Sequence, residues 1–333
     1  MKFLFVTVNL FILFAAKAQD PRFSQFFMSP LSLNPALTAN IDGDIRFSSI
    51  YRNQWRQLGS SYNTAAVSLD GRLMKNVISE SNRFGAGLFL MYDESFGAAY
   101  KINHAAFSTA YHQAINYEGT STIGVGIQAV YASRRINLNK LTFSNQFTSG
   151  GFDLDLPSGE NFQNDLKPFV DVNAGILFNH RSDNLSFYLG GAGYNLSSPV
   201  QSLTGDLSSR IPARYIIHGG LALSLNAEGN TLLGSFSAMQ QAGVNDFNLG
   251  AAYGINLSGS SGNNYLYLGG FFRFLKSAYP YVALRIADFQ FGLTYDVELF
   301  DIAKINRNTG SFELSLSYSN TSSREEIRSV PWY

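Results

Sequence analysis

Polar and apolar positions alternate along most of this chain with a period of two. In residues 311–319, Phe312, Leu314, Leu316 and Tyr318 fall on one face, and Glu313, Ser315 and Ser317 on the other. A strand that is apolar on one side and polar on the other is half-buried. Fourteen segments read this way, at about 44–55, 61–69, 83–92, 102–114, 121–133, 167–179 and 185–195, then 213–225, 231–239, 246–257, 265–274, 279–287, 289–297 and 311–319. An even number of strands suits an antiparallel barrel with both ends of the sheet on one side of a membrane.

The clearest segments show what each face is for. Ile123, Val125, Ile127, Ala129 and Tyr131 oppose Gly124, Gly126, Gln128 and Ala132. Val170, Val172, Ala174, Ile176 and Phe178 oppose Asp171, Asn173 and Gly175. The apolar set predicts a lipid-facing wall, and the small and polar set a lumen with free space in it. Glycines at 124, 126, 250 and 254 all fall on the inner set. Connections alternate in length. Residues 116–119, 180–184, 226–230 and 288 are short and rich in turn formers, whereas 134–165, 196–212 and 298–310 are long. Short turns on the periplasmic side and long loops outside are the rule for outer-membrane barrels. A longish connection at 72–82 departs from it on the periplasmic side.

Composition changes the picture in one respect: it separates lipid from water. Aromatic residues make up 14% of the chain and charged residues 14%, where a soluble domain carries about 25% charged residues. A soluble sandwich or lipocalin-like barrel also alternates, but needs a polar outer face that these segments lack. No segment after residue 18 approaches the roughly 18 apolar residues of a membrane helix. Lys2, the apolar run from Phe3 to Ala16 and the small-residue triplet Ala16-Lys17-Ala18 predict a cleaved signal peptide over 1–18. Zero cysteine excludes a disulfide framework and thiolate zinc sites. Formal net charge is zero, so nothing points to nucleic acid. The fold class is therefore all-β, a transmembrane antiparallel β-barrel of about fourteen strands in the outer membrane. It divides into the signal peptide, an N-terminal plug or periplasmic segment at 19–43, the barrel at 44–319 and a tail at 320–333.

The segment before the first strand holds Pro21, Pro30 and Pro35, none of which can donate to a β-ladder. Phe23, Phe26, Phe27, Leu31 and Leu33 need burial, and the barrel interior is the nearest place. In the first strand, Arg46, Arg52, Gln54 and Arg56 share the inner face, while Tyr51 and Trp55 share the outer one, where an aromatic girdle is expected. Buried arginines are rarely tolerated unpaired, and the inward carboxylates Asp171, Asp296 and Glu313 are their expected partners.

Several short runs carry a family resemblance. They are Gln19-Asp20-Pro21, Phe23-Ser-Gln-Phe26, Leu33-Asn-Pro-Ala36, Tyr51-Arg-Asn-Gln-Trp55, Leu141-Thr-Phe-Ser-Asn-Gln146, Phe291-Gly-Leu-Thr-Tyr-Asp296 and the last strand. Together they resemble the PorP/SprF family of type IX secretion membrane proteins over nearly the whole chain. Family members often end in a Cys-Pro pair, where this chain ends Val330-Pro-Trp-Tyr333. The resemblance implies a non-catalytic barrel that supports export and surface anchoring of a partner. That partner is a large adhesin with a type B C-terminal domain, as in gliding motility, or other components of the secretion apparatus. Phe23, Gln25, Phe26, Asn34, Pro35, Arg52, Trp55, Phe143 and Gln146, which lie in the matching runs, are the candidate partner-binding residues. Partners expected are outer-membrane lipid and the secreted protein.

Enzyme chemistry has little support. His104 and His112 lie on one strand face but about 27 Å apart at 3.4 Å per residue, too far to share a metal. Gly190-Gly-Ala-Gly193 opens no helix and is not a nucleotide loop. Asp153, Asp155 and Glu160 read as solvated loop charges. No catalytic residue, cofactor or metal is expected. The competing reading is a porin or a FadL-like transport channel, which the small inner-face residues permit.

Overall fold

The computed structural model describes residues 20–55, 61–75, 77–79, 81–160, 166–226, 228–259, 263–299 and 310–320. The expected signal peptide and nearly all of the expected tail lie outside these residues, as does Arg56. Fourteen antiparallel strands close into a barrel. They are β1 (Ile45–Gln54), β2 (Tyr62–Leu73), β3 (Arg83–Ser95), β4 (Tyr100–Ala114), β5 (Ser121–Ile136), β8 (Phe169–Arg181) and β9 (Leu185–Tyr194), then β10 (Arg214–Ser224), β11 (Thr231–Gln241), β12 (Val244–Asn256), β13 (Tyr265–Arg273), β14 (Ser277–Ile286), β15 (Phe289–Glu298) and β16 (Gly310–Ser319). Each strand pairs with its neighbour in the chain, and β1 pairs with β16 to leave no open edge. The two-residue strands β6 (Phe147–Thr148) and β7 (Gly151–Phe152) form a separate ribbon in the loop between β5 and β8. All fourteen segments read from alternation are barrel strands.

The period of two fixes the faces. Along β5, residues 123, 125, 127, 129 and 131 are exposed while 124, 126, 128, 130 and 132 are buried. The exposed set is the apolar one, and the same holds for Val170, Val172 and Ile176 on β8 and Phe289, Phe291, Leu293 and Tyr295 on β15. A continuous apolar exterior on a closed barrel belongs in a bilayer, whose backbone groups the ladder satisfies completely. Aromatic pairs mark both rims. Trp55 packs on Tyr62 at 5.0 Å and Tyr62 on Phe96 at 5.4 Å at one end. At the other end, Phe178 meets Phe187 and Phe289 meets Tyr318. Of the two residues expected in the girdle, Tyr51 faces outward and packs on Phe312 at 6.0 Å, whereas Trp55, at φ +55° just past β1, packs on Tyr62, which has the inward parity of Thr64 and Ala66. The long connections at 137–168, 195–213 and 299–309 all leave the Trp55 end, which is therefore the outer one.

The core lies inside the barrel rather than between layers. Residues 20–44 occupy the lumen as a short 3₁₀ turn (Phe26–Met28), a single helical turn (Pro30–Leu33) and a second 3₁₀ turn (Pro35–Leu37). Phe27, Leu31, Ala36 and Leu37 are fully buried. They pack against inward aromatics of the wall, with Phe27 edge-on to Tyr281 at 5.4 Å and beside Phe271 at 5.3 Å. Phe271 in turn stacks on Tyr279.

Candidate functional site

The lumen-filling segment is held at successive levels along the barrel, and each level follows from inward-facing residues on different strands. At the outer end, Asp20 sits in a cage. Its carboxylate accepts from Arg134 at 2.8 Å, Asn195 at 2.8 Å and Gln241 at 2.9 Å, and its backbone N–H donates to Gln241 Oε1 at 3.0 Å. Arg214 lies 3.9 Å away and stacks over the Tyr194 ring.

Just below, a buried charge network grips Ser24 and Gln25. Glu313 accepts from the backbone N–H groups of both residues and pairs with Arg52 at 3.2 Å. Asp296 accepts from the Ser24 hydroxyl at 2.6 Å and from Arg52 at 3.0 Å. Arg52 also donates to the Arg22 carbonyl, Arg273 donates to the Ser24 hydroxyl, and Tyr279 donates to the Ser24 carbonyl. Arg22 pairs with Asp246, which Lys276 also reaches. Arg52 and Glu313 are 1% and 0% exposed, so these charges see each other rather than water. The expected pairing of Arg52 with Asp296 and Glu313 is present. Asp171 differs from expectation: it accepts from Ser197 in the outer loop instead. Arg46 takes Asp70, a carboxylate that sequence reading left out.

At mid-height, Asn34 and Pro35 rest on a floor of glycines. A Cβ on Gly175 would stand 1.9 Å from Asn34 Oδ1, and one on Gly126 would stand 2.5 Å from the backbone of Pro35 and Ala36. Asn34 donates to the Ile176 carbonyl at 2.9 Å and approaches His218 Nε2 at 3.0 Å, while its Oδ1 caps the following turn through the Ala36 N–H. Farther down, Thr38 meets Ser108 at 2.6 Å, and Asp70 links Arg46 to the Ala39 N–H. Asp42 pairs with Arg181 at the periplasmic rim. The segment therefore runs the length of the lumen from the outer end to the inner one.

This corrects the reading of the inner-face glycines as free lumen space. Gly126 and Gly175 admit the plug itself. Gly124 faces His112, Gly250 faces Phe271, and Gly254 faces Tyr267 and Thr231. A cavity of about 40 Å³ remains beside Asp20, lined by His104, Asp171, Asn173, Asn195 and Arg214. That is room for about three waters, well short of the roughly 150 Å³ that a benzene occupies in an apolar cavity.

The candidate partner-binding residues separate into two groups. Phe23, Gln25, Phe26, Asn34, Pro35 and Arg52 are buried and spend their side chains on the barrel, so no partner reaches them while the segment is seated. Trp55, Phe143 and Gln146 lie toward the outside. Gln146 is buried within its loop: its side chain accepts from the Phe143 N–H and donates to the Leu156 carbonyl, which shapes the turn. Sequence reasoning missed Arg22, Ser24, Asp246, Arg273 and Tyr279. Inward parity on β12, β13 and β14 was the available signal for the last three. Among the described residues no group of three metal-ligating side chains comes together.

Comparison with known proteins settles the family. Residues 15–318 match the profile described as type IX secretion system membrane protein PorP/SprF. The chain belongs to the PorP/SprF family. A search of curated proteins returns no match. Solved structures similar to this PorP/SprF barrel include the Pseudomonas putida toluene transporter TodX, with 12% identity, 92% of this chain and 96% of that chain covered, and a TM-score of 0.46. A Pseudomonas aeruginosa FadL homologue gives 10% identity, 86% and 92% coverage, and a TM-score of 0.45. BamA from Haemophilus ducreyi gives 11%, 84% and 70%, and 0.40. The protein is an outer-membrane barrel of the type IX secretion family.

Proposed function

We propose that this PorP/SprF protein is a plugged membrane anchor that supports export and surface retention of a secreted partner, such as an adhesin with a type B C-terminal domain. The observation that carries the reading is the filled lumen. A barrel whose interior is occupied by its own residues 20–44, with buried ion pairs at two levels, works through its surfaces rather than as a conduit. The outer loops supply a surface. Phe147, Phe152 and Leu154 are more than half exposed on the loop between β5 and β8, beyond the strands and so in water rather than lipid. Exposed apolar groups clustered in water mark protein contact sites. Phe147 and Phe152 are held edge-on at 5.0 Å by the β6–β7 ribbon, so the patch is presented in one arrangement. The loop between β9 and β10 is ordered by its own polar contacts. The Ser208 hydroxyl and N–H hold the exposed Asp206 carboxyl below its usual pKa range.

The test is a mild-detergent pull-down of the tagged barrel from its own outer membrane, with mass spectrometry of the retained proteins. A large exported protein held through its C-terminal domain is expected. Replacing Phe147, Phe152 and Leu154 together by serine is expected to release it with the barrel still inserted. Retention of periplasmic ring components instead makes the protein part of the core machinery. A barrel recovered alone that passes solutes in liposomes moves the function to transport.

A further inference from the structure

The outward faces of β3, β4, β5 and β8 carry two features, one above the other. At the outer rim, Glu94, Lys101 and Arg135 are cross-strand neighbours: Glu94 pairs with Lys101, and Lys101 with Arg135. Lys140 follows in the 3₁₀ turn Leu138–Lys140. The three cations line one open hollow of about 420 Å³ together with Asn137 and Asn139. Glu94 offsets one of the three charges, but its carboxylate is already engaged by the Tyr92 hydroxyl at 2.7 Å and the Asn63 amide at 3.0 Å. Lys140 makes one long contact to the Gly97 carbonyl. Among the described residues, none of the ion pairs includes Lys101, Arg135 or Lys140.

Directly beneath, the same strands form an apolar groove. Ala105 lies between Leu90 and Tyr131 in the register, and Ala129 between Phe107 and Val172. The two alanines leave a trough of about 410 Å³ walled by Leu88, Leu90, Phe107, Tyr131 and Val170. Four residues separate Lys101 from Ala105, and four separate Arg135 from Tyr131, which is roughly 14 Å along a strand. A cationic hollow at headgroup height, with a separate acyl-sized trough on the same strands below it, matches one kind of molecule.

We propose that this face binds a phosphorylated lipid of the outer leaflet. Its phosphate is held by Lys101, Arg135 and Lys140, and an acyl chain lies over Ala105 and Ala129. A free phosphate would use the upper half alone; the trough is what assigns the site to a lipid. The inference rests on the outer-membrane orientation of the barrel and is independent of which protein the barrel anchors.

The experiment is native mass spectrometry of the detergent-solubilised full chain, titrated with monophosphoryl lipid A, with phosphatidylcholine and with inorganic phosphate. Wild-type protein is expected to retain monophosphoryl lipid A in preference to phosphatidylcholine. The triple variant Lys101→Gln, Arg135→Gln, Lys140→Gln is expected to weaken that retention by about fivefold per cation. Ala105→Trp, which fills the trough from the lipid side, is expected to weaken it with all three cations present. Equal retention of both lipids, or a triple variant that binds like wild type, overturns the proposal. Competition by inorganic phosphate at the lipid's own concentration overturns the lipid assignment. If the triple variant fails the heat-modifiability check for a folded barrel, Arg135→Gln alone decides, with a fivefold loss expected.

Discussion

Glu313 ties the wall of the barrel to its contents, because one carboxylate serves Arg52 and two plug N–H groups at once. A buried pair of this kind adds little net stability compared with apolar packing, but removing one partner leaves a buried charge unpaired, at a cost of about 3–5 kcal/mol. Glu313→Leu strips the acceptor from the Ser24 and Gln25 N–H groups while Arg52 keeps Asp296, so it is expected to leave the barrel foldable and the plug loosened at Ser24 and Gln25. Limited proteolysis within residues 20–44 would report the release, and a plug as resistant as wild type would show that the network is dispensable. Glycine gives a sharper contrast. Gly175→Val places a methyl where Asn34 sits, whereas a Cβ at Gly270, on the outward face, has nothing within 4 Å. Gly175→Val is expected to expose the plug to protease and Gly270→Ala to behave as wild type. Equal behaviour of the two would mean that the Asn34 seat has no role. At this scale the sequence was half legible. Inward parity identified Arg52 and its partners Asp296 and Glu313. It could not show that Asp70, rather than Asp171, faces Arg46, because cross-strand pairing depends on register and not on charge alone.

The strands and the plug are elements of different kinds, and the sequence revealed them differently. Alternation locates a strand wherever one face meets lipid, so all fourteen were readable. It fails at the ends, where charged residues interrupt the run. β2 continues to Leu73 past Asp70 and Arg72, whose side chains point inward to Arg46 and the plug, and β5 continues to Ile136 past the inward Arg134 and the outward Arg135. There the ladder persists although the charges mask the pattern. The plug has no period at all; three prolines and a cluster of aromatic residues announced a non-strand that needed burial. What hid its depth was glycine, since a missing side chain looks the same whether it leaves a void or admits a neighbour. Whether the plug moves in function is testable because the chain has no cysteine. The Thr38 and Ser108 hydroxyls lie 2.6 Å apart, close enough for a disulfide at that site. Thr38→Cys with Ser108→Cys is expected to cross-link the plug to β4 on oxidation and to leave partner export unchanged. Export that appears on reduction alone would show that the plug must leave, and would end the static-anchor reading. Deleting residues 20–43 asks the complementary question. The barrel is expected to insert and to conduct ions, while export falls away.

At the scale of the whole molecule, one assignment supports the loop surface, the lipid site and the direction of the plug: the end that carries residues 137–168 faces out. It follows from loop length and barrel architecture, and it has a consequence that sequence alone did not suggest. Asp20, caged by Arg134, Asn195 and Gln241, lies at the outer mouth, while Asp42 reaches Arg181 at the periplasmic rim. The segment that precedes the first strand thus begins on the far side of the membrane from where that strand starts. A short epitope inserted at Gly150, in the turn between β6 and β7, is expected to bind antibody on intact cells. One inserted at Glu118, in the short turn between β4 and β5, is expected to bind after permeabilisation alone. The opposite result would invert the barrel: the exposed Phe147 and Phe152 would face the periplasm, and Lys101 and Arg135 would meet inner-leaflet headgroups. The plug contacts would stand unchanged, because they depend on the register of the strands and not on which way the barrel points.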